Sequence, residues 1–108
     1  MISLLLSAAI AATAAAPLEA AIDNSRKALV TCLKQAASTA DPGNVKPDGF
    51  ADYVKSRCAT EEAALQDAMI RFDMKNGVSR KSALEGAQMA VEDYVETARN
   101  NYAARTTN

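Results

Sequence analysis

The chain contains no histidine and no tryptophan, only two cysteines, and few glycines and prolines. The missing histidine removes the commonest general base and the commonest metal ligand together. Without histidine, a C-x-x-C pair or a third thiol, the zinc, haem and thioredoxin-type readings fail. No phosphate-cradling glycine loop, S-x-x-K or G-x-S-x-G is present. No segment alternates apolar and polar residues over the length of a strand, and β-branched residues are scattered. A block of one charge sign is also missing. The 12 Lys and Arg interleave with 13 Asp and Glu, which argues against a nucleic-acid stripe and a basic membrane-surface helix. These gaps lead to the expectation of a protein that is not an enzyme, with no cofactor, no metal and no nucleic-acid partner.

Charge is missing altogether from Met1 to Leu18; the first charged side chain is Glu19. An apolar run from Ile2 to about Ala12, followed by Ala12-Thr13-Ala14, reads as a secretory signal peptide with a small-residue cleavage site. Its n-region has no Lys or Arg, so only the terminal amine supplies positive charge. An uncleaved anchor and the first turns of a long soluble helix are the alternatives. The run is short of the roughly 20 strongly apolar residues a spanning helix needs, and its second half is mostly Ala. The expected organisation is a signal peptide over 1–14, with cleavage as late as 16, and a single helical domain over 15–108 with no stable membrane anchor. Export to the periplasm or beyond makes a disulfide permissible.

Helical spacing recurs in three places. The first segment, about Leu18 to Ser38, puts Leu18, Ile22, Ser25, Leu29, Cys32, Leu33 and Ala36 on one face, with Asp23 and Lys27 as an i,i+4 pair. It stops at Asp41-Pro42-Gly43-Asn44, where proline cannot continue a helix and Gly43 or Asn44 can take positive φ. The second segment starts with Asp48 as N-cap or Pro47 at N1, and its face is Phe50, Val54, Cys58, Leu65, Ala68, Met69 and Phe72. It ends at Lys75-Asn76-Gly77, with Gly77 as a left-handed cap. The third starts at Ser79 or Ser82, where Ser82-Ala83-Leu84-Glu85 fits a capping box. Its face is Leu84, Ala87, Val91, Tyr94, Val95, Ala98 and Tyr102, and it frays after Arg105. Short connections imply antiparallel neighbours, so the expected fold is all-α: an elongated antiparallel three-helix bundle.

Cys32 lies near the end of the first helix and Cys58 near the start of the second. In an antiparallel hairpin they stand at similar heights on facing apolar stripes, which suits an inter-helix disulfide.

Among the carboxylates, Glu85, Glu92, Asp93 and Glu96 could hold a hard cation but lie opposite the Val91 face, where a solvated polar surface is the simpler reading. Arg57 and Glu61 form a partly buried pair or snorkel at the groove edge. Tyr53, Tyr94 and Tyr102 read as core-edge residues with hydroxyls in water. One feature exceeds what the fold needs. Ala59, Ala63, Gln66, Ile70 and Met74 form a second stripe roughly opposite the core face of the second helix, with Met89 off-face on the third. This stripe is the candidate surface for self-association or a protein partner.

From Cys32 to Tyr102 the chain resembles small uncharacterised exported helical proteins of alphaproteobacteria. The resemblance is carried by Cys32, by Cys58 ahead of Phe72-Asp73-Met74-Lys75-Asn76-Gly77, and by Asp93-Tyr94. It implies a periplasmic location and brings no catalytic residues. The functional expectation is a small periplasmic interaction module, with an acid-stress holdase chaperone as the alternative.

Overall fold

The computed structural model describes residues 16–106; the expected signal peptide at 1–14 lies outside them. Four helices follow in order: α1 (Ala16–Thr39), α2 (Phe50–Arg57, preceded by a 3-10 turn at Pro47–Gly49), α3 (Ala59–Lys75) and α4 (Arg80–Thr106). The fold is an all-α bundle with no strand among the described residues. α3 packs between α1 and α4 and runs antiparallel to both, so α1 and α4 are parallel to each other. α4 alone spans about 40 Å.

The expected second helix is two helices. Cys58 leaves the helical region at φ −113° and ψ 20°, and α3 restarts at Ala59. The bonds on either side persist: Cys58 N–H donates to Val54 O at 2.7 Å and Glu62 N–H to Cys58 O at 2.9 Å. No proline or glycine stands at the break. What distinguishes Cys58 is its covalent bond to Cys32 on α1. The break lets α2 touch both α1 and α4, while α3 continues between them.

The ends of the helices follow their local chemistry. At the end of α1, Ser38 and Thr39 hydroxyls bond back to the carbonyls of Lys34 and Gln35, both at 3.0 Å, and Ala40 N–H donates to Ala36 O at 3.0 Å, filling one of the acceptors left open at the helix end. The following turn is organised by Asp41, whose carboxylate accepts from Gly43 N–H and from the Asn44 amide, each at 3.0 Å. Of the two residues able to take positive φ here, Gly43 does not, and the Asp41 side chain closes the turn. Pro47 occupies the first position of the 3-10 turn, and Asp48 is not a cap. Gly77 sits at φ +91° and completes a Schellman motif: Val78 N–H bonds Asp73 O at 2.9 Å and Gly77 N–H bonds Met74 O at 3.1 Å. α4 is capped by Ser79, whose hydroxyl accepts from Ser82 N–H at 3.2 Å, so Ser82 is the third helical residue and the capping box is not used.

The core is uneven along the bundle. Leu29, Leu33, Phe50, Val54, Cys58, Leu65 and Tyr102 fill the end where α2 joins α1 and α4. Towards the α3–α4 hairpin the buried residues are Ala68, Ala83 and Ala87. Leu84, expected inside, is exposed, and Ala83 is buried in its place. Ala87 and Val91 set the inward face of α4, and the inward position one turn before Ala87 is 83. Tyr102 also departs from expectation. It is 1% exposed, not at the core edge. Its ring stacks on Phe50 with centroids 4.7 Å apart, and its hydroxyl donates to Val45 O at 2.6 Å.

Candidate functional site

The two cysteines expected to pair do so. Cys32 and Cys58 form the disulfide, with Cα atoms 5.9 Å apart, and no free cysteine remains among the described residues. Cys58 is fully buried in the core cluster and Cys32 packs against that cluster, so the bond is an internal staple between α1 and the α2–α3 junction.

Arg57 does not pair with Glu61. Its guanidinium lies 4.3 Å above the Tyr53 ring, a cation–π contact on the surface of α2. The Tyr53 hydroxyl is in turn 3.4 Å from Thr39 Oγ1 at the end of α1. Asp23 pairs with Arg26 at 2.8 Å, in place of the expected Lys27. Arg99 joins Asp48 at 3.2 Å and Glu96 at 3.7 Å, linking α4 to the turn before α2. These are exposed pairs of the kind that contribute little to stability. Glu85, Glu92, Asp93 and Glu96 are all exposed, and among the described residues no group of carboxylates or thiols is arranged to hold a metal ion.

No Asp, Glu, Lys or Arg is fully buried among the described residues. Glu62 is the partly buried carboxylate of interest. Desolvation raises its pKa above the ordinary carboxylate value, and the nearby charge of Lys55 opposes that rise. Glu62 lines a groove of about 470 Å³ between α2–α3 and α4, together with Asp52, Lys55, Gln66, Glu92 and Glu96. Four carboxylates against one lysine make this groove acidic.

A second groove, of about 410 Å³, runs between the C-terminal halves of α1 and α4. Val30, Leu33, Ala37, Tyr94 and Ala98 supply apolar surface, and the cations on its walls are Lys34 and Arg105. No carboxylate lines it. The residue types gave no hint of this groove: its walls come from sequence positions some 60 apart, and each wall reads alone as an ordinary amphipathic face.

The expected outer stripe of α3 is divided by α4. Ala59 and Ala63 are exposed but small. Gln66 lines the acidic groove against α4, and Ile70 is half-buried. Met74 is 43% exposed. Sequence periodicity identified the stripe but not its neighbour, because α3 is the central helix and has two partners. The remaining large exposed apolar residues are Val78, Leu84 and Met89. Met74, Val78 and Leu84 follow one another around the α3–α4 turn, the end of the bundle where only alanines are buried.

No family model matches the chain, and neither does any curated protein or solved structure.

Proposed function

We propose that the chain is a non-enzymatic interaction module of the exported compartment, engaging a protein partner or a second copy of itself through the α3–α4 end. The observation that carries this reading is the run of exposed apolar side chains at Met74, Val78 and Leu84, next to a bundle end whose fully buried residues are alanines, with Phe72 and Met69 only half-buried. Export is supported by the uncharged Met1 to Leu18 segment. It is supported further by the disulfide, which persists in oxidising compartments. The absence of histidine, with both thiols consumed in that bond, leaves the polar surface without the usual nucleophile or base.

The test is Met74→Lys combined with Leu84→Lys in the exported protein. Helix content should stay unchanged, since exposed substitutions usually shift stability by less than about 0.5 kcal/mol. Sedimentation should move to monomer, or a partner cross-linked to the parent protein should be lost. Identical sedimentation and identical cross-links in the variant would refute the proposal.

A further inference from the structure

We propose that the groove between the C-terminal halves of α1 and α4 binds one long-chain fatty acid, the alkyl chain lying on Val30, Leu33, Tyr94 and Ala98 and the carboxylate taken by Lys34 and Arg105. The site is separate from the α3–α4 end and does not depend on that surface having a partner.

The charge of the groove is the first support. The whole chain is almost balanced, with a net charge of −1. The two grooves nevertheless divide the charges unequally. The one on the α2–α3 side carries Asp52, Glu62, Glu92 and Glu96 against Lys55. The one between α1 and α4 carries Lys34 and Arg105 and no carboxylate. Among the described residues, neither of these two cations has a carboxylate within ion-pair distance, so both charges are available to an anion. Ser38, Thr97 and Asn101 add hydrogen-bonding groups to the walls.

Size suits a slender ligand. The volume of about 410 Å³ falls in the lower part of the ~300–1,000 Å³ range of small-molecule sites. The stretch of α4 that lines the groove, 94–105, is about 18 Å long, and a single alkyl chain can lie along it. The groove is open on one side, which suits an unbranched chain with its head at the charged wall. α1 and α4 run parallel in front of α3 and touch each other, and the apolar groove lies along their contact.

The experiment titrates the oxidised protein, as the cell processes it, with dansyl-undecanoic acid below its micelle concentration, followed by fluorescence. Unlabelled palmitic acid, its methyl ester and a hexadecyl-trimethylammonium ion serve as competitors. One-to-one saturation is expected, with the acid competing at least tenfold better than the neutral ester and the cation weakest. Lys34→Glu with Arg105→Glu should weaken the acid at least tenfold while leaving the ester within twofold. Ala98→Trp, which fills the groove floor, should abolish both; if that variant does not fold, the exposed charge reversal still decides. Absence of saturation overturns the proposal, as does a charge-reversed variant that binds the acid like the parent. Undiminished binding by a folded Ala98→Trp protein, or displacement of the probe by an acidic amphipathic peptide and not by palmitic acid, overturns it equally.

Discussion

The hydroxyl of Tyr102 donates to the carbonyl oxygen of Val45 at 2.6 Å, joining the last turns of α4 to the loop between α1 and α2. Two segments 57 residues apart are thereby fixed at one end of the bundle. Tyr102→Phe keeps the stack on Phe50 but leaves the Val45 carbonyl without its donor. Losing a buried hydrogen-bond partner costs about 1–3 kcal/mol. Tyr102→Ala removes the ring as well, at about 3–5 kcal/mol. In a domain of this size each kcal/mol lowers the Tm by about 4–8 °C, so thermal unfolding followed by circular dichroism separates the two variants. Equal stability of Tyr102→Phe and the parent would mean that the bond contributes nothing.

The staple between Cys32 and Cys58 closes a loop with a sequence separation of 26. On the chain-entropy model this stabilises the fold by about 3.5 kcal/mol. Cys32→Ser with Cys58→Ser should lose that amount in urea unfolding at pH 7. Because Cys58 is fully buried, the new hydroxyl adds a desolvation cost, so reduction of the parent protein is the cleaner comparison and should show the smaller loss. The reduced protein also reports on the break at Cys58. A rise in helix signal on reduction would mean that α2 and α3 join when the staple is released.

Residues at single-helix scale were legible before any neighbour was known. Leu29, Leu33, Phe50, Val54, Leu65 and Val91 are all buried as their spacing requires, and Gly77 takes the positive φ that its place after Lys75-Asn76 requires. What failed depended on a second element. The spacing of Tyr102 cannot report that Phe50 and the Val45 carbonyl close over it. Leu84 and Ala83 both stand at helical spacing from Ala87, three and four residues away, and the packing of α4 turns Ala83 inward. Nothing in the sequence of the α3 outer stripe says that α4 lies against Gln66. The α1–α4 groove is hidden from the sequence for the same reason: it belongs to two helices and to neither alone.

Glu62 gives the bundle one pH-dependent contribution with a definite sign. Its pKa is raised in the folded state by desolvation, with Lys55 working against the rise. A carboxyl with a raised folded pKa is bound more tightly by protons in the native state than in the unfolded one. Stability from this group is therefore highest below the ordinary carboxylate pKa and falls as pH rises through the window up to the folded value. The groups sharing its groove are Asp52 and Lys55 from α2 and Glu92 and Glu96 from α4. We expect Glu62→Gln to be more stable than the parent at pH 7 and the difference to shrink as the pH falls below that window. Chemical unfolding of both proteins across pH 3.5 to 7.5 reads this directly. A gap that widens on acidification would reverse the assigned cause. The sign also bears on acid loosening, because protonation of Glu62 favours the folded state and any such loosening must come from other carboxylates.

Ile70 and Met74, one turn apart on α3, should respond differently to the same substitution. Sequence spacing places both on one outer stripe, and on that basis both would accept lysine without cost. The fold separates them: Ile70 is half-buried, whereas Met74 is 43% exposed at the end of the helix. Full burial of an isoleucine side chain is worth about 1.5–3 kcal/mol, so a half-buried one loses roughly 1–2 kcal/mol when lysine replaces it. The lysine stem can recover part of that area by lying along the surface with its ammonium in water. Met74→Lys should stay within about 0.5 kcal/mol of the parent. It also sets a cation near the C-terminus of α3, beside Lys75, where the helix dipole favours positive charge. Urea unfolding of the two single variants decides the matter. Equal, near-zero effects would mean that the stripe is not covered at Ile70 and that the whole stripe is open to partners. A large loss at Ile70 with none at Met74 confines the accessible large apolar side chains of the stripe to Met74, at the hairpin end beside Val78 and Leu84.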